Sequence, residues 1–133
     1  MGKRIVIELG ENGRRAVELF NKGDLRECHY ILEKIWVQSH GEKKDYIQGL
    51  VQIIAGIFKI RIQSKRESAI RLLRKGSMRL EKIDPDKSDL DIRRLKADTE
   101  TLIERLEGIE SEGLNADELS VLADSNIIKM YFH

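Results

Sequence analysis

Several residue types are scarce in this sequence of 133 residues, which has one cysteine, one proline, one tryptophan and two threonines. The single cysteine, Cys28, excludes an internal disulfide framework and a zinc site built from several cysteines. One proline and two threonines are few for a turn-rich β protein. No apolar run is as long as a membrane span, which needs about 18 residues. The segment Met1–Ile5 is not followed by the apolar stretch that is typical of a signal peptide. We therefore expect a cytoplasmic protein with no membrane partner.

The sequence also lacks an excess of charge of either sign, although charged residues make up 35% of it. It has 24 Lys and Arg against 23 Asp and Glu, a formal net charge of +1. This balance argues against a protein that binds polyelectrolytes with its whole surface. A chain of this length with 41% hydrophobic residues suits one modest core and excludes a disordered chain. We expect residues 1–133 to form a single helical domain.

What the sequence does contain is apolar residues at helical spacing. Leu, Ile, Glu, Lys and Arg dominate the composition, which is typical of helical proteins. The periodicity predicts an all-α bundle of about five helices, and a short last helix after Asn115. The five cover residues 12–21, 25–38, 42–63, 67–83 and 88–107. Asp24 and Glu27 are predicted to cap the second helix, and Pro85 marks the break before the fifth.

The third predicted helix is apolar on more than one side, which is typical of a central helix in a bundle. Gly49 and Gly56 lie two turns apart on the same side of it. Each glycine costs the helix about 1 kcal/mol relative to alanine, a cost that close approach of a neighbouring helix would offset. We expect the second and third helices to be the core pair.

Short apolar runs near both ends of the chain give ambiguous signals. Ile5, Ile7 and Leu9 occupy alternate positions, and residues 127–132 are mostly apolar. Each run suits a short terminal strand, and the two could pair with each other. Each also suits a chain end that packs against helices, so both alternatives stay open.

A polar cluster is predicted where the second helix packs against the third. His29 and Glu33 are four residues apart and share a helical face, and Trp36 follows on nearly the same side. If the two helices are antiparallel, these side chains meet polar groups of the third helix in one pocket. The candidate pocket consists of His29, Glu33, Trp36, Asp45, Gln48, Gly49 and Gln52.

Three interpretations of this candidate pocket compete. The favoured one is a structural network in which His, Glu and Gln side chains hydrogen-bond to one another. The second is a metal site, but His29 and Glu33 supply two ligands where a catalytic zinc takes about three from protein. The third is acid–base chemistry or small-ligand binding by His29. We expect no metal and no cofactor, and we expect Cys28 to be a small core residue, although its neighbour His29 leaves a reactive role open.

Two segments carry a family resemblance. In residues 29–36 a His is followed by a Glu four positions later and a Trp three further on, and residues 45–52 contain Gln-Gly-Leu. With these motifs, residues 16–83 resemble the helical proteins catalogued as domain of unknown function 309. The resemblance implies a small all-helical bundle and no established activity, and its characteristic positions are His29, Glu33, Trp36, Gln48 and Gly49. Tyr30 stands where the family commonly has Glu, which further weakens the metal interpretation.

The near-zero net charge hides a segregation along the chain. Residues 59–82 carry nine basic and two acidic side chains, whereas residues 84–124, an acidic helical extension, carry five basic and thirteen acidic ones. Basic residues recur at spacings of three and four along the fourth helix, which places them on one stripe. This basic stripe, the candidate surface for an anionic partner, comprises Lys65, Arg66, Arg71, Arg74, Lys75, Arg79 and Lys82. It is expected to be solvated or paired with the fifth helix, and binding of phosphates is the alternative.

These observations favour a non-enzymatic binding or assembly module. We expect a homo-oligomer, because the apolar seam of the fifth helix and the apolar termini offer more apolar surface than a small monomer hides. A small-molecule or metal-dependent enzyme that uses His29 and Glu33 is the first alternative. A nucleic-acid binder that uses the basic stripe is the second, and it is less favoured because residues 59–82 contain no aromatic side chain for base stacking.

Overall fold

The structure, a computed structural model, describes residues 7–61, 65–108 and 128–133. Five α-helices lie in these ranges: Gly10–Asn21 (α1), Leu25–Gln38 (α2), Gly41–Arg61 (α3), Arg66–Glu81 (α4) and Ile92–Glu107 (α5). The prediction of an all-α bundle is confirmed. Among the described helices, none is both long and apolar enough to cross a membrane. The predicted last helix after Asn115 lies outside the described residues.

Side-chain caps explain two of the helix boundaries. The Asp24 carboxylate accepts a hydrogen bond from the Glu27 N–H at 3.3 Å, so α2 begins where the sequence predicts. The helix α5 begins at Ile92, four residues later than predicted. There the Asp91 carboxylate accepts from the Arg94 N–H at 3.1 Å and caps the first turn. A single 3-10 turn at Pro85–Lys87 stands between α4 and α5.

The closest helix contact in the described structure joins α3 to α4, rather than α2 to α3 as the sequence led us to expect. Glycines on both helices allow it. A Cβ atom on Gly76 would lie 2.7 Å from the carbonyl oxygen of Gly49, and one on Gly56 would lie 2.8 Å from Leu73. The close neighbour predicted from Gly49 and Gly56 is therefore α4, whose Gly76 was not part of that prediction.

Two segments near the ends of the chain, at Ile7 and at Phe132, pack against the residues between the 3-10 turn and α5. Ile7 forms a parallel bridge with Ser88, and Phe132 forms an antiparallel bridge with Leu90. Within the described residues, the two ends therefore share one partner segment and do not pair with each other. The side-chain amide of Asn21 secures the C-terminal end further, because it donates to the Met130 carbonyl at 2.8 Å and accepts from its N–H at 2.9 Å.

A buried carboxylate, Asp89, joins the start of α1 to the middle of the bundle. Its Oδ2 accepts from the Leu9 N–H at 2.8 Å, and its Oδ1 accepts from the Tyr46 hydroxyl at 3.1 Å. Leu9 directly precedes α1, so the carboxylate lies at the positive end of that helix dipole. Burial, together with the nearby charge of Asp89, raises the pKa of Tyr46 well above its usual value. Tyr46 therefore stays protonated at neutral pH, and its hydroxyl donates a hydrogen bond to Asp89.

The apolar seam of α5 is buried within the chain. Its members are each at most 1% exposed: Ile92, Leu95, Thr99, Leu102 and Leu106. Near the two ends, Ile7, Leu9 and Met130 are at most 3% exposed. Much of the apolar surface on which we based self-association is thus covered by the same chain, although Tyr131 is 38% exposed. Ile5 and Ile127 lie outside the described residues, and self-association stays a prediction.

Replacement of Asp89 by Asn turns one buried acceptor oxygen into a donor. We expect the free energy of unfolding to fall by about 2 kcal/mol, because a hydrogen bond to a charged acceptor is lost and a buried donor gains no acceptor. Urea unfolding followed by circular dichroism measures the change. Asp91→Asn is the control and should shift stability by less than about 0.5 kcal/mol, since Asn also caps helices. Equal losses in the two variants would contradict a special role for Asp89.

Replacement of Gly76 by Ala tests the contact between α3 and α4. Alanine favours an isolated helix by about 1 kcal/mol, yet we expect a net loss of about 2 kcal/mol because the new methyl group meets the backbone of α3. Gly108→Ala is the matched control, since the nearest atom to its Cβ would lie at an ordinary 3.4 Å. Thermal unfolding should show the control unchanged or slightly stabilised. A similar gain in Gly76→Ala would mean that α3 and α4 are not in backbone contact.

Candidate functional site

His29 and Glu33 lie near each other on the outer side of α2. The His29 Nε2 and Glu33 Oε1 atoms are 3.8 Å apart, within ion-pair range but too far for a good hydrogen bond. The side chains are 35% and 58% exposed. A pair this accessible to water contributes little to stability. It is an open surface feature rather than part of a sealed network.

Two members of the candidate pocket lie on the side of α3 that contacts α4. Gly49 packs there against Gly76, as described above, and the Asp45 carboxylate accepts from the Arg79 guanidinium of α4 at 3.0 Å. These contacts account for Asp45 and Gly49 without any participation of α2. The structure therefore does not bring them to His29.

The remaining members are dispersed along the α2–α3 hairpin. Trp36, near the end of α2, holds the Lys44 ammonium 4.3 Å from its ring centroid. Gln48 is half-buried, and the Oε1 atom of Gln52 is buried with no hydrogen-bond partner among the described residues. The predicted hydrogen bonds between these glutamines and His29 or Glu33 are absent from the described contacts.

His29 instead lines a different cavity, which lies between the first half of α2 and the last half of α3. Its volume is about 300 Å³. Leu25 and Arg26 accompany His29 on α2, and Ile54, Ala55, Phe58 and Lys59 complete the lining from α3. Of the seven candidate pocket residues, His29 alone belongs to this lining. The lining is largely apolar with basic groups at its edge, so the cavity suits binding better than proton transfer.

Within the described residues, no three His, Cys, Asp or Glu side chains come close enough to hold a metal ion together. Cys28, directly before His29, is fully buried. Burial raises the pKa of its thiol to about 12, with a smaller contribution from the charge of Asp24. The thiol is therefore protonated and inaccessible at neutral pH, which gives no support to a reactive role.

Three residues of the basic stripe are bound to other helices. The Arg66 Nε–H donates to the Leu106 carbonyl at 2.7 Å, at the C-terminal end of α5 where cations are favoured. The Arg74 guanidinium forms an ion pair with Glu107 of α5. Arg79 pairs with Asp45, as described above. Pairing between the stripe and α5 is thus present, and it involves only part of the stripe.

The other four stripe residues, Lys65, Arg71, Lys75 and Lys82, are exposed and have no carboxylate partner in the described part of the chain. Three of them form one exposed row on α4 together with an apolar residue: Arg71, Lys75, Met78 and Lys82. Met78 is 65% exposed. Beside this row, a depression of about 480 Å³ contains Ile70 and reaches Glu107 at the end of α5. The exposed row is therefore a basic surface with an apolar centre.

Several residues that define these two sites were not among the candidates predicted from the sequence. Met78 is four residues before Lys82 and three after Lys75, so its place on the exposed row could have been recognised from spacing. Phe58 and Ala55 could not be assigned in the same way, because their partners on α2 depend on how the hairpin packs. Arg26 was also omitted, although it lies one helical turn before Tyr30 and three residues before His29.

The family model described as domain of unknown function (DUF309) matches residues 14–72 of this chain. The match confirms the family resemblance that we inferred from residues 29–36 and 45–52. It extends from α1 into α4, whereas α5 and the Asp89 segment lie beyond it. Comparison with curated proteins found no match.

The environment of Cys28 gives a direct prediction. We expect the thiol of the folded protein to react far more slowly than a free cysteine at pH 8, which is well below its pKa of about 12. The reaction is followed with an aromatic disulfide that releases a coloured thiolate. Reaction in denaturant supplies the reference, because unfolding restores an ordinary pKa and free access. A reaction in the native protein as fast as in denaturant would contradict the burial of Cys28.

Proposed function

We propose that this chain is a non-enzymatic binding module that docks an acidic segment of a partner protein on the exposed row of α4. The observation that carries the proposal is the placement of Met78, 65% exposed, among cations that form no ion pair with a described carboxylate. A cytoplasmic location belongs to the same proposal and stays a prediction from the sequence.

The composition of the exposed row indicates the chemistry of the partner. Arg71 and Lys75 attract carboxylates, which raises the association rate and orients the partner. Met78 offers apolar area, and a flexible methionine adapts to varied apolar side chains. A segment that alternates acidic and apolar residues complements both properties. A helical segment is well suited, since its side chains repeat at the same spacing as those of α4.

A protein partner fits this surface better than a nucleic acid does. Phosphate groups gain from an unbroken series of cations, whereas Met78 interrupts the row and offers phosphates nothing. Arg66 and Arg74, which would extend the series, already bind the end of α5. Binding to a phosphate backbone is therefore an outcome to test rather than the function we propose.

The enzyme hypothesis receives less support from the geometry. A catalytic acid–base pair works best in a preorganised site that excludes water. The His29 and Glu33 side chains are 3.8 Å apart and 35% and 58% exposed, so water reaches the pair. Self-association also stays a prediction, and Tyr30 and Val37, which are 52% and 66% exposed on α2, are the apolar residues that a second copy would cover.

Charge reversal at Arg71 and Lys75 tests the proposal. The probe is a fluorescently labelled peptide in which Glu and Leu repeat at helical spacing, and fluorescence anisotropy measures its affinity. We expect Arg71→Glu combined with Lys75→Glu to weaken binding about tenfold or more, since two attractive charges become repulsive. Met78→Ser should weaken it as well, because the apolar contact is lost.

The matched control combines Arg15→Glu on α1 with Lys22→Glu directly after it. Both residues are exposed, and the two changes alter the net charge by the same amount. The control should bind the peptide as the unaltered protein does. If both double variants lost the same affinity for the peptide, net charge alone would explain the loss, and this would contradict a site on α4. Tighter binding of a short DNA duplex than of the peptide would contradict the choice of a protein partner.

A further inference from the structure

A second site, independent of the exposed row, lies in the cavity between α2 and α3. Its floor is apolar and well buried, since Leu25 is 5% exposed and Ile54 is 1% exposed. The half-buried ring of Phe58 extends this floor. Ala55 also lines the cavity, and its short side chain leaves the space open. A volume of about 300 Å³ corresponds to the smaller sites that proteins use for organic ligands.

The edge of the cavity is basic. Arg26 contributes a positive charge from α2, and none of the residues that line the cavity is acidic. The Arg26 guanidinium lies 6.0 Å from the centroid of the Phe58 ring, so charge and apolar floor are adjacent. Arg26 has no carboxylate partner among the described residues. The cavity therefore combines an apolar floor with a positive edge.

We infer that this cavity binds a small amphiphilic carboxylate, whose apolar chain packs on Ala55 and Phe58 and whose carboxylate approaches Arg26. The apolar floor supplies the gain from removing the chain from water. The guanidinium supplies a charge-assisted hydrogen bond that fixes the orientation of the head group. A cationic amphiphile of the same length would meet repulsion at the edge, and a carboxylate without a chain would lack the floor.

Octanoate is a suitable probe, with octylamine and acetate as its charge and chain controls. Titration of the isotopically labelled full chain, followed by amide NMR shifts, should show saturable binding of octanoate with shifts that centre on Arg26, His29 and Phe58. Octylamine and acetate should give no saturable shifts at the same concentrations. Equal binding of octylamine would overturn the inference of a carboxylate ligand, and absence of saturation by octanoate would overturn the site.

Ala55→Leu fills the cavity without a change of charge and places a good helix former in α3. We expect it to weaken octanoate binding about tenfold or more, because the methylene groups of the ligand lose their place on the floor. Ala97→Leu on the exposed side of α5 is the control and should bind octanoate unchanged. Unaltered binding in a folded Ala55→Leu protein would overturn the inference.

Arg26→Gln separates the contribution of charge from that of shape. It should weaken octanoate binding about fivefold and leave binding of the uncharged octanol unchanged. An equal loss for both ligands would show that Arg26 acts through packing alone and would overturn its role toward the carboxylate. These ligands and variants do not involve α4, so failure here leaves the proposed docking of an acidic segment intact.

Discussion

Backbone contact between α3 and α4 is the constraint on which the other features depend. The absence of side chains at Gly49, Gly56 and Gly76 lets the two helices approach until little more than main chain separates them. That contact uses the small-residue face of α4. Because a helix has one set of faces, Arg71 and Lys75 must then lie away from α3, whereas Arg79 still reaches Asp45 of α3. The placement of Arg71 and Lys75 at the surface follows from where the glycines are.

The Asp89 carboxylate completes this arrangement by fixing the segment that leads into α5. Hydrogen bonds from Leu9 and Tyr46 hold that segment against α1 and α3, so the direction in which α5 departs is determined. The helix α5 then ends beside α4, where its last turn binds Arg66 and Arg74. Only part of the basic stripe is neutralised there. The course of α5 thus links the hydrogen bonds of Asp89 to the exposed row of α4.

Local features of this fold could be predicted from the sequence, and long-range ones could not. The helix α2 begins after Asp24 as predicted, because a cap and a helical apolar period are local properties. The network around Asp89 could not be predicted, since Leu9 is 80 positions away from it in the chain. The set of residues around His29 could not be predicted either. It depends on how α3 is rotated about its axis, and in the structure Gly49 faces α4.

Met78 at the centre of the exposed row carries the central claim, that α4 recognises an acidic protein segment with apolar side chains. The measurement that tests this claim most directly compares the binding of a Glu/Leu peptide and of a DNA duplex by Met78→Lys. This variant adds positive charge while it removes the apolar centre. We expect Met78→Lys to bind the peptide more weakly and the duplex more strongly than the unaltered protein does. Stronger binding of both ligands would contradict the claim, because charge alone would then explain recognition.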